Sequence, residues 1–115
     1  MLYYHNPRCS KSRQGLALLK EKGVEPTIKE YLKEGLTTKE VKELATSLNI
    51  EPLDGLIRVK EATFKELGLS KKDSKTLAQW SKIIAENPVL LERPILKNGK
   101  RVAIGRPPEN LIEIV

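Results

Sequence analysis

Tyr3-Tyr4-His5-Asn6-Pro7-Arg8-Cys9-Ser10-Lys11-Ser12-Arg13 is the stretch around which the rest of this chain is organised. Leu2 to His5 is a short apolar and aromatic run, and Asn6-Pro7 stops it with a residue that has no N–H for a ladder, as at the end of a buried strand. From about Ser10 to Lys22 the pattern is helical. Leu16 and Leu19, with their neighbours Ala17 and Leu18, supply the core face, and Gly23 stands where a left-handed C-terminal cap is expected. Cys9, the only cysteine, therefore falls on a strand-to-helix turn. A thiol at the first turn of a helix sees about half a positive charge from unpaired backbone N–H groups. Arg8, Lys11 and Arg13 lie within a few residues of it. That setting favours the thiolate, the nucleophilic form, and the same helix start suits a tetrahedral anion.

Thr27 to Tyr31 alternates β-branched and aromatic residues with Lys29 and Glu30 and reads as a second strand, which closes a parallel βαβ unit. From Thr37 to Asn87 nearly every signal is helical. Thr37-Thr38-Lys39-Glu40 has capping-box spacing, and Val41, Leu44, Ala45 and Leu48 follow on one helix face. Short helical pieces are expected at Leu53 to Val59, carrying Arg58, and at Thr63 to Leu67, closed by Gly68. Asp73 or Ser74 caps a further helix from about Lys75 to Glu86, with Leu77, Trp80 and Ile84 as its core stripe, and Asn87-Pro88 ends it. Ile95 to Lys97 and Arg101 to Ile104 flank Asn98-Gly99-Lys100, a strong hairpin signal, and Gly105-Arg106-Pro107-Pro108-Glu109 opens a C-terminal helix. The order is α/β: a thioredoxin-like four-stranded mixed sheet with flanking helices and a helical insertion, about 37–87, between strands 2 and 3.

A length of 115 residues fits one domain, 1–115, with a single core. One cysteine makes no internal disulfide, and no apolar run has the length of a membrane span or the order of a signal peptide, so a cytoplasmic monomer without membrane attachment is expected. The net charge of +6 arises from 21 basic and 15 acidic residues, and most lysines sit in mixed stretches such as Lys39 to Glu43, the pattern of exposed helix faces. No aromatic-basic array or clustered basic helix is present, which argues against nucleic acid as a partner. Arg58, Arg93, Arg101 and Arg106 instead stand beside proline, glycine or apolar residues, where a planar multi-donor cation suits an oxyanion.

Several chemistries are excluded by spacing. A phosphatase-type loop needs arginine six residues after the cysteine, and Gly15 stands there. Dithiol exchange needs a second cysteine, and Ser12 occupies that place, so any redox cycle must borrow an external thiol. His5 and Cys9 alone do not make a four-ligand metal set, so no metal or bound cofactor is expected. His5 can lower the Cys9 pKa or satisfy a carbonyl at the strand end, and Ser10 and Ser12 can donate to an anion or cap the helix.

With Cys9 after strand 1, Glu66-Leu67-Gly68-Leu69, Asn87 to Ile95 including Arg93-Pro94, and Gly105-Arg106-Pro107-Pro108-Glu109, the chain resembles the bacterial glutaredoxin-coupled arsenate reductase family over essentially its whole length. The resemblance implies that Cys9 is the nucleophile, attacking arsenate to give an adduct that glutathione and then glutaredoxin resolve, with release of arsenite. It implies that Arg58, Arg93 and Arg106 hold the oxyanion, that His5 lies near the cysteine, and that Pro94 is the cis-proline of the fold. In the best-studied members the cysteine is followed by Gly-Thr-Ser-Arg. Here Ser10-Lys11-Ser12-Arg13 follows, which is where a different substrate would be selected. Two other readings share the fold: a glutathione-dependent reductase of a small disulfide, and a non-enzymatic adaptor similar to the Spx-type regulators that contact RNA polymerase.

Overall fold

Four short strands come from the two ends of the chain. In the computed structural model, which describes residues 1–115, β1 (Leu2–Tyr4), β2 (Thr27–Lys29), β3 (Ile95–Asn98) and β4 (Arg101–Ile104) form one sheet in the order β2-β1-β3-β4. β1 is parallel to β2 and antiparallel to β3, and β3 is antiparallel to β4. This is the mixed four-stranded α/β sheet expected from the sequence. The chain forms two compact units, a sheet-bearing unit of Met1–Glu34 with Arg93–Val115 and a helical unit of Gly35–Glu92.

In the sheet-bearing unit α1 (Ser10–Glu21) joins β1 to β2. It ends as Gly23 predicts: this glycine has φ +76°, its N–H reaches the Lys20 carbonyl at 3.0 Å, and the Val24 N–H reaches Leu19 at 2.8 Å. That is a Schellman closure, which a residue with a Cβ would strain. The core is Tyr3, Leu19, Leu96, Ala103 and Leu111, with Leu16, Val24, Ile112 and Ile114 packed against it. Burying each large aliphatic member is worth about 1.5–3 kcal/mol of transfer free energy.

The inward face of α1 differs from the expected one. Ser12, Gly15 and Leu19 are buried and Leu16 is half-buried, whereas Ala17 is exposed and Leu18 only half-buried. The cause is a close approach: a Cβ on Gly15 would lie 2.5 Å from the Tyr3 hydroxyl, 3.0 Å from Leu111 and 3.1 Å from Pro94. Small residues are needed where three other segments converge, and the aliphatic residues rotate away from that point.

Two element boundaries also move. β2 ends at Lys29 rather than Tyr31, because the Glu30 N–H is taken at 2.8 Å by the Glu34 carboxylate and the chain turns into α2 (Tyr31–Glu34). The C-terminal helix is a 3-10 helix, Pro108–Ile114, tied down by the Asn98 side chain, which donates to the Ile114 carbonyl at 2.6 Å.

The helical unit follows its caps. Thr37 and Glu40 exchange hydrogen bonds of 3.1 and 2.9 Å at the start of α3 (Thr38–Leu48), which buries Val41, Leu44 and Ala45. α4 is Ala62–Glu66, and Gly68 after it has φ +71°. α5 (Leu77–Glu86) is capped by Thr76 with Gln79, not by Asp73 or Ser74; Asp73 instead accepts from the Ser70 N–H at 2.9 Å and closes the preceding turn. The piece expected to be helical around Leu53 to Val59 is a 3-10 turn, Pro52–Asp54, followed by a further turn and an isolated bridge between Ile57 and Leu91. Arg58 therefore leaves from irregular backbone next to that bridge, with its own N–H on the Leu90 carbonyl at 2.7 Å.

Candidate active site

The turn after β1 is built by Asn6. Its side-chain oxygen accepts from the Arg8 N–H at 3.1 Å and its carbonyl from the Cys9 N–H at 3.0 Å, while Pro7 presets the backbone between them. Cys9 is thereby placed as the N-cap residue of α1, with φ −91° and ψ 123°, and its carbonyl accepts from the Arg13 N–H at 3.0 Å. Its side chain makes no capping hydrogen bond of ordinary geometry, and the first turn of α1 holds no acidic residue. The N–H groups of Lys11 and Ser12 are left facing the sulfur.

Partial burial of Cys9 raises its pKa, but the Ser12 N–H, the hydrogen bond and charge of Arg93, and the Lys11 N–H outweigh it, and the net shift is downward. The thiolate is the favoured form. The cation that acts on it is not a sequence neighbour. The Arg13 guanidinium is turned to the Pro7 carbonyl at 2.9 Å, and Lys11 contributes its backbone amide, so the charge comes from Arg93 at the start of the β3–β4 hairpin.

His5 and Ser12 form the support beneath the turn. His5 Nδ1 and Ser12 Oγ are 2.7 Å apart, and the same oxygen accepts from the Asn6 N–H at 2.9 Å. A hydroxyl has one proton to give, so the arrangement that satisfies all three groups has Ser12 donating to Nδ1 and the imidazole proton on Nε2. Burial lowers the His5 pKa, with Lys20 and Arg13 adding to that effect and Glu30 opposing it. His5 thus stands as a neutral ring held by a side-chain hydroxyl, neither a cation beside the thiol nor a donor to a strand-end carbonyl. Ser12 is fully buried and its hydroxyl is committed, so what it offers the site is its N–H; Ser10 is exposed. Tyr3, which had no signal in the sequence, donates its hydroxyl to the Ser12 carbonyl at 2.6 Å, and burial pushes its pKa up.

Arg93 and Arg106 come together. Arg106 Nε donates to the Arg93 carbonyl at 2.8 Å, and the Gly105 N–H donates to the Pro94 carbonyl at 2.9 Å. The Arg93–Pro94 and Arg106–Pro107 peptides are both cis. A Cβ on Gly105 would lie 2.7 Å from Pro94, so glycine is required for the two loops to meet. Arg58 belongs to the helical unit, where its guanidinium donates to the Val89 carbonyl at 3.1 Å and pairs with Glu61 at 3.2 Å.

Sheet and site together describe a thioredoxin-like α/β protein with one activated thiol at a helix start and the Arg93 side chain acting on it. The chain belongs to the ArsC family, whose model matches residues 4–114. It is 42% identical over 115 residues to an arsenate reductase of Haemophilus influenzae, covering 100% of this chain and 98% of that one. An arsenate reductase of Neisseria meningitidis is 41% identical over 108 residues, covering 94% and 92%. The structure of an arsenate reductase from Vibrio cholerae superposes with a TM-score of 0.91 at 38% identity, over 99% of this chain and 96% of the other. No helix is long and apolar enough to cross a membrane.

Proposed function

We propose that this chain is a thiol-dependent oxidoreductase that reduces arsenate, or a related oxyanion, through an adduct on Cys9 resolved by glutathione and then glutaredoxin. The observation that carries the reading is the N-cap position of Cys9, whose lowered pKa comes from the amides of Ser12 and Lys11 and from Arg93. The helix start and the Arg93–Arg106 pair attract an oxyanion bearing more than one negative charge and offset its repulsion from the thiolate. Cys9 then displaces one oxygen of arsenate, which leaves as water after taking up protons, and an S–As bond forms with arsenic still pentavalent. A glutathione thiolate attacks the Cys9 sulfur; the S–As bond breaks with its electron pair on arsenic, and arsenite departs. The mixed disulfide left on Cys9 is reduced by glutaredoxin, which returns the free thiol. Every residue this sequence uses lies in the sheet-bearing unit. Exposed Ser10 and Lys11 border the oxyanion and tune which one is accepted. A cycle that depends on reduced glutathione belongs in the cytoplasm.

The test is arsenite release from arsenate with glutathione and glutaredoxin. Release that requires both thiols and is absent from Cys9→Ser supports the reading, and release no faster than that of Cys9→Ser overturns it.

A further inference from the structure

A second feature borders the Cys9 turn. At the carboxyl ends of the parallel strands β1 and β2 lies a cavity of about 210 Å³, walled on one side by His5, Pro7 and Arg8 and on the other by Glu30, Leu32 and Lys33. This is smaller than a typical drug-sized site of roughly 300–1,000 Å³, so it suits one end of a ligand or a very small molecule. Its chemistry is mixed. Leu32 is a large aliphatic residue left 45% exposed, and Pro7 beside the cavity is also exposed. Two cations and one carboxylate complete the wall. The Arg8 guanidinium makes no ion pair, and Glu30 meets Lys33 only at 3.6 Å in an exposed pair, which solvent screening makes easy to exchange for a ligand's charges.

An oxyanion alone is a poor match, since an apolar wall and a carboxylate both disfavour it and the Cys9 turn already supplies stronger donors. A zwitterion with an apolar stem matches each part: Glu30 for an ammonium, Arg8 and Lys33 for a carboxylate, Leu32 and Pro7 for the stem. Arg8 directly precedes Cys9, so a ligand anchored there lies beside the turn that carries the thiol. We propose that this cavity binds the zwitterionic end of the small thiol that resolves the Cys9 adduct, the glutathione class of molecule. The proposal rests on the function given above and locates the reductant on the molecule.

S-methylglutathione, which cannot exchange disulfides, is titrated into the Cys9→Ser protein without arsenate and followed by amide NMR. Saturable shifts at 6–8 and 30–33, weakened about tenfold by Arg8→Ala and by Glu30→Gln, are expected from loss of a charge-assisted contact. Absence of saturable shifts, or shifts confined to other residues, overturns the site. In the wild-type background, Leu32→Glu raises KM for glutathione and leaves KM for arsenate unchanged; equal movement of both contradicts the proposal. Because the binding arm uses no arsenate, a protein that binds S-methylglutathione here but releases no arsenite refutes the arsenate reading and keeps the cavity.

Discussion

Helices α3 and α5 begin with their amides filled, whereas α1 begins with its amides open. Thr37 with Glu40 and Thr76 with Gln79 each form a reciprocal capping box. At the equivalent place α1 has Cys9, whose sulfur makes no cap hydrogen bond of ordinary geometry and as a thiolate draws on the Ser12 and Lys11 N–H groups. A Ser, Thr, Asp or Asn cap is worth about 0.5–2 kcal/mol over a residue that does not cap. The helical unit takes that stability at the starts of its two longer helices, α3 and α5, and not at the short α4, where Glu61 makes no side-chain cap. The sheet-bearing unit leaves it unused at α1, and the same N–H groups become available to a thiolate and an incoming anion. The lesson is that a helix start can be a structural cap or a reactive site, and in this chain the residue at the N-cap decides which.

The largest expected effect of reversing that choice is at Cys9 itself. Cys9→Ser should abolish arsenite release while holding the urea midpoint or raising stability by up to about 1 kcal/mol, since serine is a competent cap. A lowered midpoint would mean that the open amides are not held in reserve. Arg93→Ala comes next: with the facing charge removed, the Cys9 pKa rises, and alkylation by iodoacetamide at mildly acid pH slows. Unchanged alkylation would assign the activation to the amides alone.

Ser12→Ala tests the layer below. It strips a partner from buried His5 Nδ1 and from the Asn6 N–H, and should cost about 1–3 kcal/mol in chemical denaturation. Thr37→Ala or Thr76→Ala should each cost about 1 kcal/mol and leave the thiol titration untouched.

The smallest effect is in the pH dependence of stability. His5 is the only histidine, and its pKa is lowered from 6.5 in the fold. The unfolded chain therefore binds that proton first, so stability falls as pH drops through 6.5, and this loss stops below the folded value. Cys9 acts with the same sign at higher pH: its lowered pKa gives stability that is present above the unfolded value and is lost as pH falls through the folded one. Urea midpoints of wild type and His5→Gln across this range should differ in slope only on the acid side.

What the sequence made legible was local chemistry. Asn6-Pro7, the Thr37–Glu40 box, Gly23 and the Asn98-Gly99 turn each specify their own geometry within a few residues, and the sheet follows from the elements they bound. The cap of α5 was also present in the sequence, as Thr76 three residues before Gln79, but Asp73 and Ser74 offer the same oxygen chemistry just upstream. What could not be read was set by distant segments. The buried face of α1 depends on Tyr3, Pro94 and Leu111 arriving at Gly15. The charge on Cys9 depends on Arg93, not on Arg8, Lys11 or Arg13, although those three are adjacent in sequence. Gly15 was informative only as a missing arginine, and its packing role needs three other elements before it exists.

The most direct test is the ultraviolet titration of the Cys9 thiolate in the wild-type protein and in Thr37→Ala. Both midpoints should lie below the ordinary thiol value of about 8.5 and coincide, and sulfate or arsenate should raise them by competing for the same amides and arginines. A wild-type midpoint at or above about 8.5, unmoved by either anion, would contradict an open helix start at Cys9.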